Sequence, residues 1–277
     1  MNKLIKLDFK RVFSDKLFLV VCILAVVFAV ITPLLYLALF GMMGEMDELT
    51  KELLAGQVNA KGQFFAAFSF GNNLGLIAPL LIGIILYKDF SFGTIRNKII
   101  TGSSRVSVFL SIFVVCFVVL FGVVLAHALL TLFICLPLFG YQSTPFAMTD
   151  FWYFCESLLF QALVYVFVSA FVSHLCMTKK NVGLVIVLYI AIVLGFTMIA
   201  SILQVAIAML QLTPDMETVV SVLDFLQRIN VFNYSLTIGI GTSYSPTDVL
   251  YFVLTPIVLT IAMLGHGIRK FSKIDLK

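Results

Sequence analysis

From Val106 to Phe139 the chain runs for about 34 residues without an aspartate, glutamate, lysine or arginine. About 20 apolar residues suffice to cross a hydrocarbon layer of roughly 30 Å. Lipid offers no partner to backbone N–H and C=O groups, so a crossing segment must satisfy them within its own helix. Five further apolar runs follow the same rule, and we read spans at about Leu17–Phe40, Ser69–Tyr87, Val106–Phe139, Phe151–Met177, Val182–Gln211 and Val249–Ile268. A β-barrel would instead show short segments of alternating polarity. The third run would measure roughly 50 Å as a helix, so it must tilt, project beyond the lipid or break near Pro137.

The fold class expected is therefore all-α and polytopic, a single transmembrane domain over residues 1–277. Only 12% of residues are charged and 61% are hydrophobic, whereas a soluble domain carries roughly 25% charged residues. The first run, about 24 residues long, exceeds the apolar core of about 7–15 residues in a signal peptide. It is followed by Phe40-Gly41-Met42-Met43 rather than a small-residue cleavage site, which marks an uncleaved span. No internal repeat, low-complexity tract or soluble domain stands out.

Basic residues orient the spans. One side holds Lys3, Lys6, Lys10, Arg11 and Lys16, then Lys88, Arg96, Lys98 and Arg105, then Lys179 and Lys180, then Arg269, Lys270, Lys273 and Lys277. Only Lys51, Lys61 and Arg228 fall on the other side, where Glu45, Asp47, Glu48, Glu52, Asp150, Asp215, Glu217, Asp224 and Asp248 gather. Both termini are thus expected in the cytoplasm. The net charge of +4 is spent on orientation, and nucleic acid is not an expected partner.

Residues 2–16 form an amphipathic helix, with Ile5, Phe9, Val12 and Phe13 on one face and Lys3, Lys6 and Lys10 on another. Such a helix suits the membrane interface, its lysines toward anionic headgroups. Two long outer segments remain. Residues 41–68 have helical composition and fit an outward extension of the first span. Residues 213–248 fit either a partly inserted, cap-like helix pair or an ordinary loop.

Chemistry-bearing residues are few. Neither a metalloprotease helix motif, a nucleophile elbow nor a phosphate loop is present. We expect no catalytic, cofactor-binding or metal site, and ATP would have to be handled by another chain. Cys22, Cys116, Cys135, Cys155 and Cys176 sit in or beside apolar runs as packing residues, and only Cys135 and Cys155 are placed to approach each other. His127 and Glu156 are the ionisable groups well inside spans, with His174 near an inner end. Intramembrane ionisable residues are functional candidates by default. At 1.5 Å per residue His127 lies roughly 18 Å below the outer end of its span, Glu156 roughly 8 Å and Gln161 roughly 15 Å. We therefore expect a His127–Gln161 hydrogen bond, and Glu156 as an outer-vestibule or interfacial residue. The spacing Gly71-Asn72-Asn73-Leu74-Gly75 permits close helix packing, a cap or a dimer seam.

The segment 88–105, between spans two and three, is longer than a turn needs. Gly93 and Gly102 bracket a short stretch with helical spacing, with Ile95 and Ile99 on one face and Arg96 on the flank. Phe92-Gly93-Thr94-Ile95-Arg96-Asn97-Lys98, then Gly102-Ser103-Ser104-Arg105 and Phe109-Leu110-Ser111, resembles the corresponding loop of type-2 ABC transporter permeases, membrane subunits of bacterial exporters. The six spans, the N-terminal helix and the length extend the resemblance over essentially the whole chain. Where that family often has glutamate before the glycine, this chain has Lys88-Asp89.

The resemblance implies a permease in the bacterial cell membrane that is not itself an enzyme. Two such chains, identical or different, would pair with two ATP-binding subunits carrying ATP and magnesium. Residues 1–16 would be the connecting helix and 88–105 the coupling loop, with Gly93, Thr94, Ile95, Arg96, Asn97 and Arg105 as its contact surface. Export follows from the family, and the Phe-, Val-, Leu- and Met-rich spans suit peptide, lipid or hydrophobic drug-like cargo. An ion-coupled secondary transporter, or a non-transporting scaffold or sensor, is the alternative. A carrier would usually show midplane charges on broken helices within inverted repeats.

Overall fold

The computed structural model describes residues 2–42, 58–71, 73–142, 145–179, 181–211 and 216–274, and no strand occurs among them. In chain order the helices are α1 (Asn2–Ser14), α2 (Lys16–Met42), α3 (Ala60–Ala66), α4 (Asn73–Ser91), α5 (Thr94–Ile100) and α6 (Arg105–Phe139). They continue as α7 (Met148–Thr178), α8 (Val182–Leu210), α9 (Glu217–Arg228), α10 (Val231–Thr237) and α11 (Pro246–Lys273). Six of these (α2, α4, α6, α7, α8 and α11) are long and apolar enough to cross a membrane. The chain is an all-α, multi-pass membrane protein. Glu45, Asp47, Glu48, Lys51, Glu52, Asn72, Lys180, Asp215 and Lys277, used above for orientation or spacing, lie outside the described residues.

Polar caps set the ends of the long helices. Ser104 Oγ accepts from the Ser107 N–H at 3.1 Å and starts α6. Ser245 and Asp248 form a capping box at the start of α11, with Pro246 in its first turn. Of the three alternatives for the third run, the break near Pro137 does not occur. That proline lies in the last turn of α6, which runs on to Phe139 and stops at Gly140, whose φ is 72°. The helix is therefore about 52 Å long and must tilt or project.

Helix α7 is the centre of the bundle, flanked by α4, α6 and α11. In its most apolar stretch 72% of residues are buried, against 22% in α2 and 17% in α8 and α11. The peripheral helices show the reason in their sequences. On α2, Val21, Ala25 and Ala29 form a buried stripe of small side chains, while Ile23, Val26, Val30 and Leu34 face outward. Small residues let helix backbones approach closely, the main source of packing energy where lipid is as apolar as leucine.

The two long segments between spans have different outcomes. Residues 58–68 do not extend α2. They fold back as α3, whose first N–H groups donate to the carbonyls of Gly140 and Tyr141 at 3.0 and 3.2 Å. Phe64, Phe65, Phe68 and Phe70 are buried there as an aromatic plug. The chain turns at 67–71 before α4, so the second span starts at Asn73 rather than Ser69. Tyr165 donates to the Phe68 carbonyl at 2.9 Å, and a Cβ on Gly75 would lie 2.0 Å from the Ser69 carbonyl oxygen. The glycine spacing thus serves local packing. Of the alternatives for 213–248, the helix pair is observed: α9 has no buried residue, while α10 buries Val231 through Ser235. The five cysteines are free, with Cys135 buried and Cys155 exposed.

Candidate functional site

The loop after α4 folds as its glycines dictate. Gly93 and Gly102 take φ of 69° and 96°, left-handed values that side chains disfavour, and between them stands the two-turn helix α5. Ile95 is 1% exposed and Ile99 is partly buried against the core. They share a face, as their spacing demands, but it is the face turned into the protein's own bundle. Ile95 is therefore a packing residue and is removed from the expected contact surface. Thr94 and Gly93 are half-buried, whereas Arg96 and Asn97 are exposed. Phe92 and Ile100 are 76% and 70% exposed. Ile100 lies one turn from Arg96 on the outward side.

Arg105 is also not a free surface group. Its Nη1 donates at the C-terminal end of α11 to the carbonyl of Phe271 at 3.1 Å, which also accepts from the Ile274 N–H, and to that of Ile274 at 2.6 Å.

Beneath the loop lies a cluster of charges that ties it to α1. Asp8 and Asp89 are each 3% exposed. Lys98 pairs with Asp8 and lies 3.7 Å from Asp89, Arg11 pairs with Asp89, and Ser111 Oγ donates to Asp8 at 2.7 Å. Two acids and two bases thus neutralise one another where an unpaired charge would be costly to bury. Burial pulls the Arg11 guanidinium below its usual value, against the opposing pull of Asp8 and Asp15. Nearby, Lys88 Nζ donates to both carboxylate oxygens of Asp15, at 2.8 and 2.7 Å. Burial works against the charge on Asp15, but Lys88 and the Leu17 N–H outweigh it and hold the carboxyl below its ordinary value. Asp89 therefore joins the end of α4 to α1. Asp8 was missed because it stands on the apolar face of an amphipathic helix, where its partner lies 90 residues away.

Inside the bundle the expected His127–Gln161 bond is not formed. His127 Nδ1 lies 2.8 Å from the Ala25 carbonyl oxygen on α2, reached across the small-residue stripe. A carbonyl only accepts, so Nδ1 carries the hydrogen and Nε2 of the neutral ring is left as an acceptor. Gln161 is fully buried on α7, and neither atom of its amide has a hydrogen-bond partner among the described residues. Equal depth did not bring the two together, because depth leaves rotation about the helix axis unspecified. Glu156 is exposed on the outside of α7. Instead, His127 and Thr131 share a cavity of about 290 Å³ with Tyr36 and Gln63. Gln63 escaped sequence reasoning because its segment looked extramembranous. Comparison of the chain with protein-family models, curated proteins and solved structures found no match.

Proposed function

We propose that this chain is the permease subunit of an ATP-driven ABC exporter in the bacterial cell membrane, with both termini in the cytoplasm. Helix α1 lies along the inner membrane surface, its exposed Lys3, Lys6 and Lys10 toward anionic headgroups. Helix α5 and its flanking glycines dock on a separate ATP-binding subunit, which carries ATP and magnesium, and a second permease chain completes the transporter. Cargo is peptide, lipid or hydrophobic drug-like.

The observation that carries this reading is the construction of α5. A loop serving only as an orientation signal needs its charges but neither two left-handed glycines nor a helix fixed from below. Here Ile95 and Lys98 anchor the helix inward, while Phe92, Arg96 and Ile100 stand out. A face of this kind, aromatic and aliphatic groups with an arginine, has the composition of a protein contact centre. Motion of a seated partner would pass through Lys98 to Asp8 and α1, and through Asp89 to α4.

Gentle affinity purification from native membranes, with mass spectrometry of what co-purifies, tests the reading. A near-stoichiometric partner carrying a phosphate-loop ATPase domain is expected, and any second permease would decide between homodimer and heterodimer. Recovery of the chain alone, under conditions that preserve other membrane complexes, would overturn it.

A further inference from the structure

At the end of the bundle away from α1, helices α7 to α11 enclose a second cavity of about 440 Å³, within the size range of small-molecule sites. Tyr153, Tyr234, Tyr244, Tyr251 and Phe252 supply an aromatic wall. Gln204, Gln227 and Asn233 supply carboxamides, and Thr237 and Ser243 hydroxyls.

One of these groups is buried and without a hydrogen bond among the described residues. Tyr153 is 4% exposed, and its hydroxyl forms no hydrogen bond of ordinary geometry among the described residues. Tyr244, stacked on it at 4.7 Å between centroids, bonds Ser157 and the Gly239 N–H through its oxygen and is the hydroxyl that the Tyr153 oxygen acts on. Asn233 is 6% exposed and lines the cavity. Buried polar groups are normally paired, and the exceptions call for an occupant.

The charges of the cavity are already committed. Arg228 Nε donates to Asp224 at 2.6 Å and the same guanidinium pairs with Asp248, which also accepts from Ser245 Oγ at 2.7 Å. Lys61 sits over the Tyr153 ring, 4.6 Å from its centroid, and donates to the Gly241 carbonyl at 3.0 Å. Asp224 and Asp248 thus both face Arg228, while the charge of Lys61, which is not part of the lining, is met by Asp150. An anion would meet two carboxylates. A cation would find both carboxylates closed by Arg228 and one aromatic face taken by Lys61. What is left open is a set of amides and hydroxyls that both donate and accept, beside aromatic rings.

We propose that this cavity binds a neutral glycosyl unit, its apolar ring face against the aromatic wall and its hydroxyls on Tyr153 and Asn233. Adjacent ring hydroxyls donate and accept at once, as these groups require. The ligand is a soluble saccharide or the headgroup of a glycolipid. The site needs no partner ATPase, so its failure and that of the coupling reading are separable.

The test uses the whole chain in lipid nanodiscs, free of glycoside detergents, and saturation-transfer NMR with methyl hexopyranosides, maltose, choline and inorganic phosphate. Transfer from at least one glycoside, and none from choline or phosphate, is expected. Octyl glucoside competing more strongly than methyl glucoside would assign the site to a glycolipid headgroup, and equal competition to a soluble sugar. Tyr153→Phe keeps the ring between Tyr244 and Lys61 and removes only the hydroxyl. It should therefore fold, melt no lower than the parent, and bind the glycoside at least tenfold more weakly. Gln227→Leu provides a second variant with the same expectation for binding. No transfer from any glycoside, or binding unchanged in both variants, overturns the proposal.

Discussion

Lys98 in the loop helix α5 pairs with Asp8 in the N-terminal helix α1 and stands 3.7 Å from Asp89 at the end of α4. One ammonium group therefore joins three segments, and its side chain is 11% exposed. Lys98→Met would leave Asp8, 3% exposed, with the Ser111 hydrogen bond and the more distant charge of Arg11. Removing one member of a buried pair costs about 3–5 kcal/mol because the other charge stays behind. The expected result is a marked fall in melting temperature, largely reversed when Asp8→Asn is added. Thermal unfolding of the two single variants and the double variant checks it, and additive losses would mean that the pair does not act as one.

The loop offers a contrast between neighbouring residues. Ile95→Ala should destabilise by about 2–5 kcal/mol, the usual loss for truncating a buried aliphatic group, because Ile95 is 1% exposed. Arg96→Glu with Ile100→Asp should leave the melting temperature nearly unchanged, since both side chains are exposed and such substitutions usually act within about 0.5 kcal/mol. The same pair should abolish retention of the ATP-binding subunit. Melting curves and co-purification read the two effects separately, and a partner retained by the double variant would remove this face from the contact.

The spans were legible because the length and apolarity of a crossing helix follow from the bilayer alone. So was α5, since Gly93 and Gly102 announce its ends. The residues beneath it were not. Asp8 and Lys98 lie 90 positions apart, and nothing in the periodicity of residues 2–16 tells that an aspartate on the apolar face meets a lysine from a later loop. His127 shows the same limit: its depth could be counted along the helix, but its partner was a backbone carbonyl on α2, which carries no side-chain signal. Residues 58–68 were misplaced for a related reason. Lys61 looked like a loop charge, whereas burial over Tyr153 and the Gly241 carbonyl keeps it inside the fold. The outward use of Arg105 failed because the carbonyls it bonds belong to the far end of the chain.

Acid should loosen the junction of α1 and α2. Asp15 is held below its ordinary value of 3.8, with burial opposing its charge and the Lys88 and Leu17 bonds prevailing. A depressed carboxyl binds its proton less readily folded than unfolded. Its stabilisation is therefore complete above the ordinary value and is lost as pH falls through the folded one. Lys88→Met removes the largest favourable contribution. The difference in melting temperature between parent and variant should be full at about pH 6 and shrink below about pH 4. A difference independent of pH over this range would show that Lys88 acts by packing.

His127 and Gln161 give the sharpest test of the bundle interior. His127→Leu loses the bond to the Ala25 carbonyl, which keeps its own helical partner, so the cost should be modest. Such interhelical bonds are worth roughly 1 kcal/mol. Gln161→Leu should go the other way. Its amide is fully buried with neither atom bonded among the described residues, and replacing an unsatisfied polar group by an apolar one of similar shape removes a desolvation penalty of about 1–3 kcal/mol. Residues without shared partners contribute additively to within about 0.5 kcal/mol, so the double variant should sum the two effects. A larger coupling energy would mean that the histidine and glutamine meet in the membrane, and that the His127 ring turns away from α2.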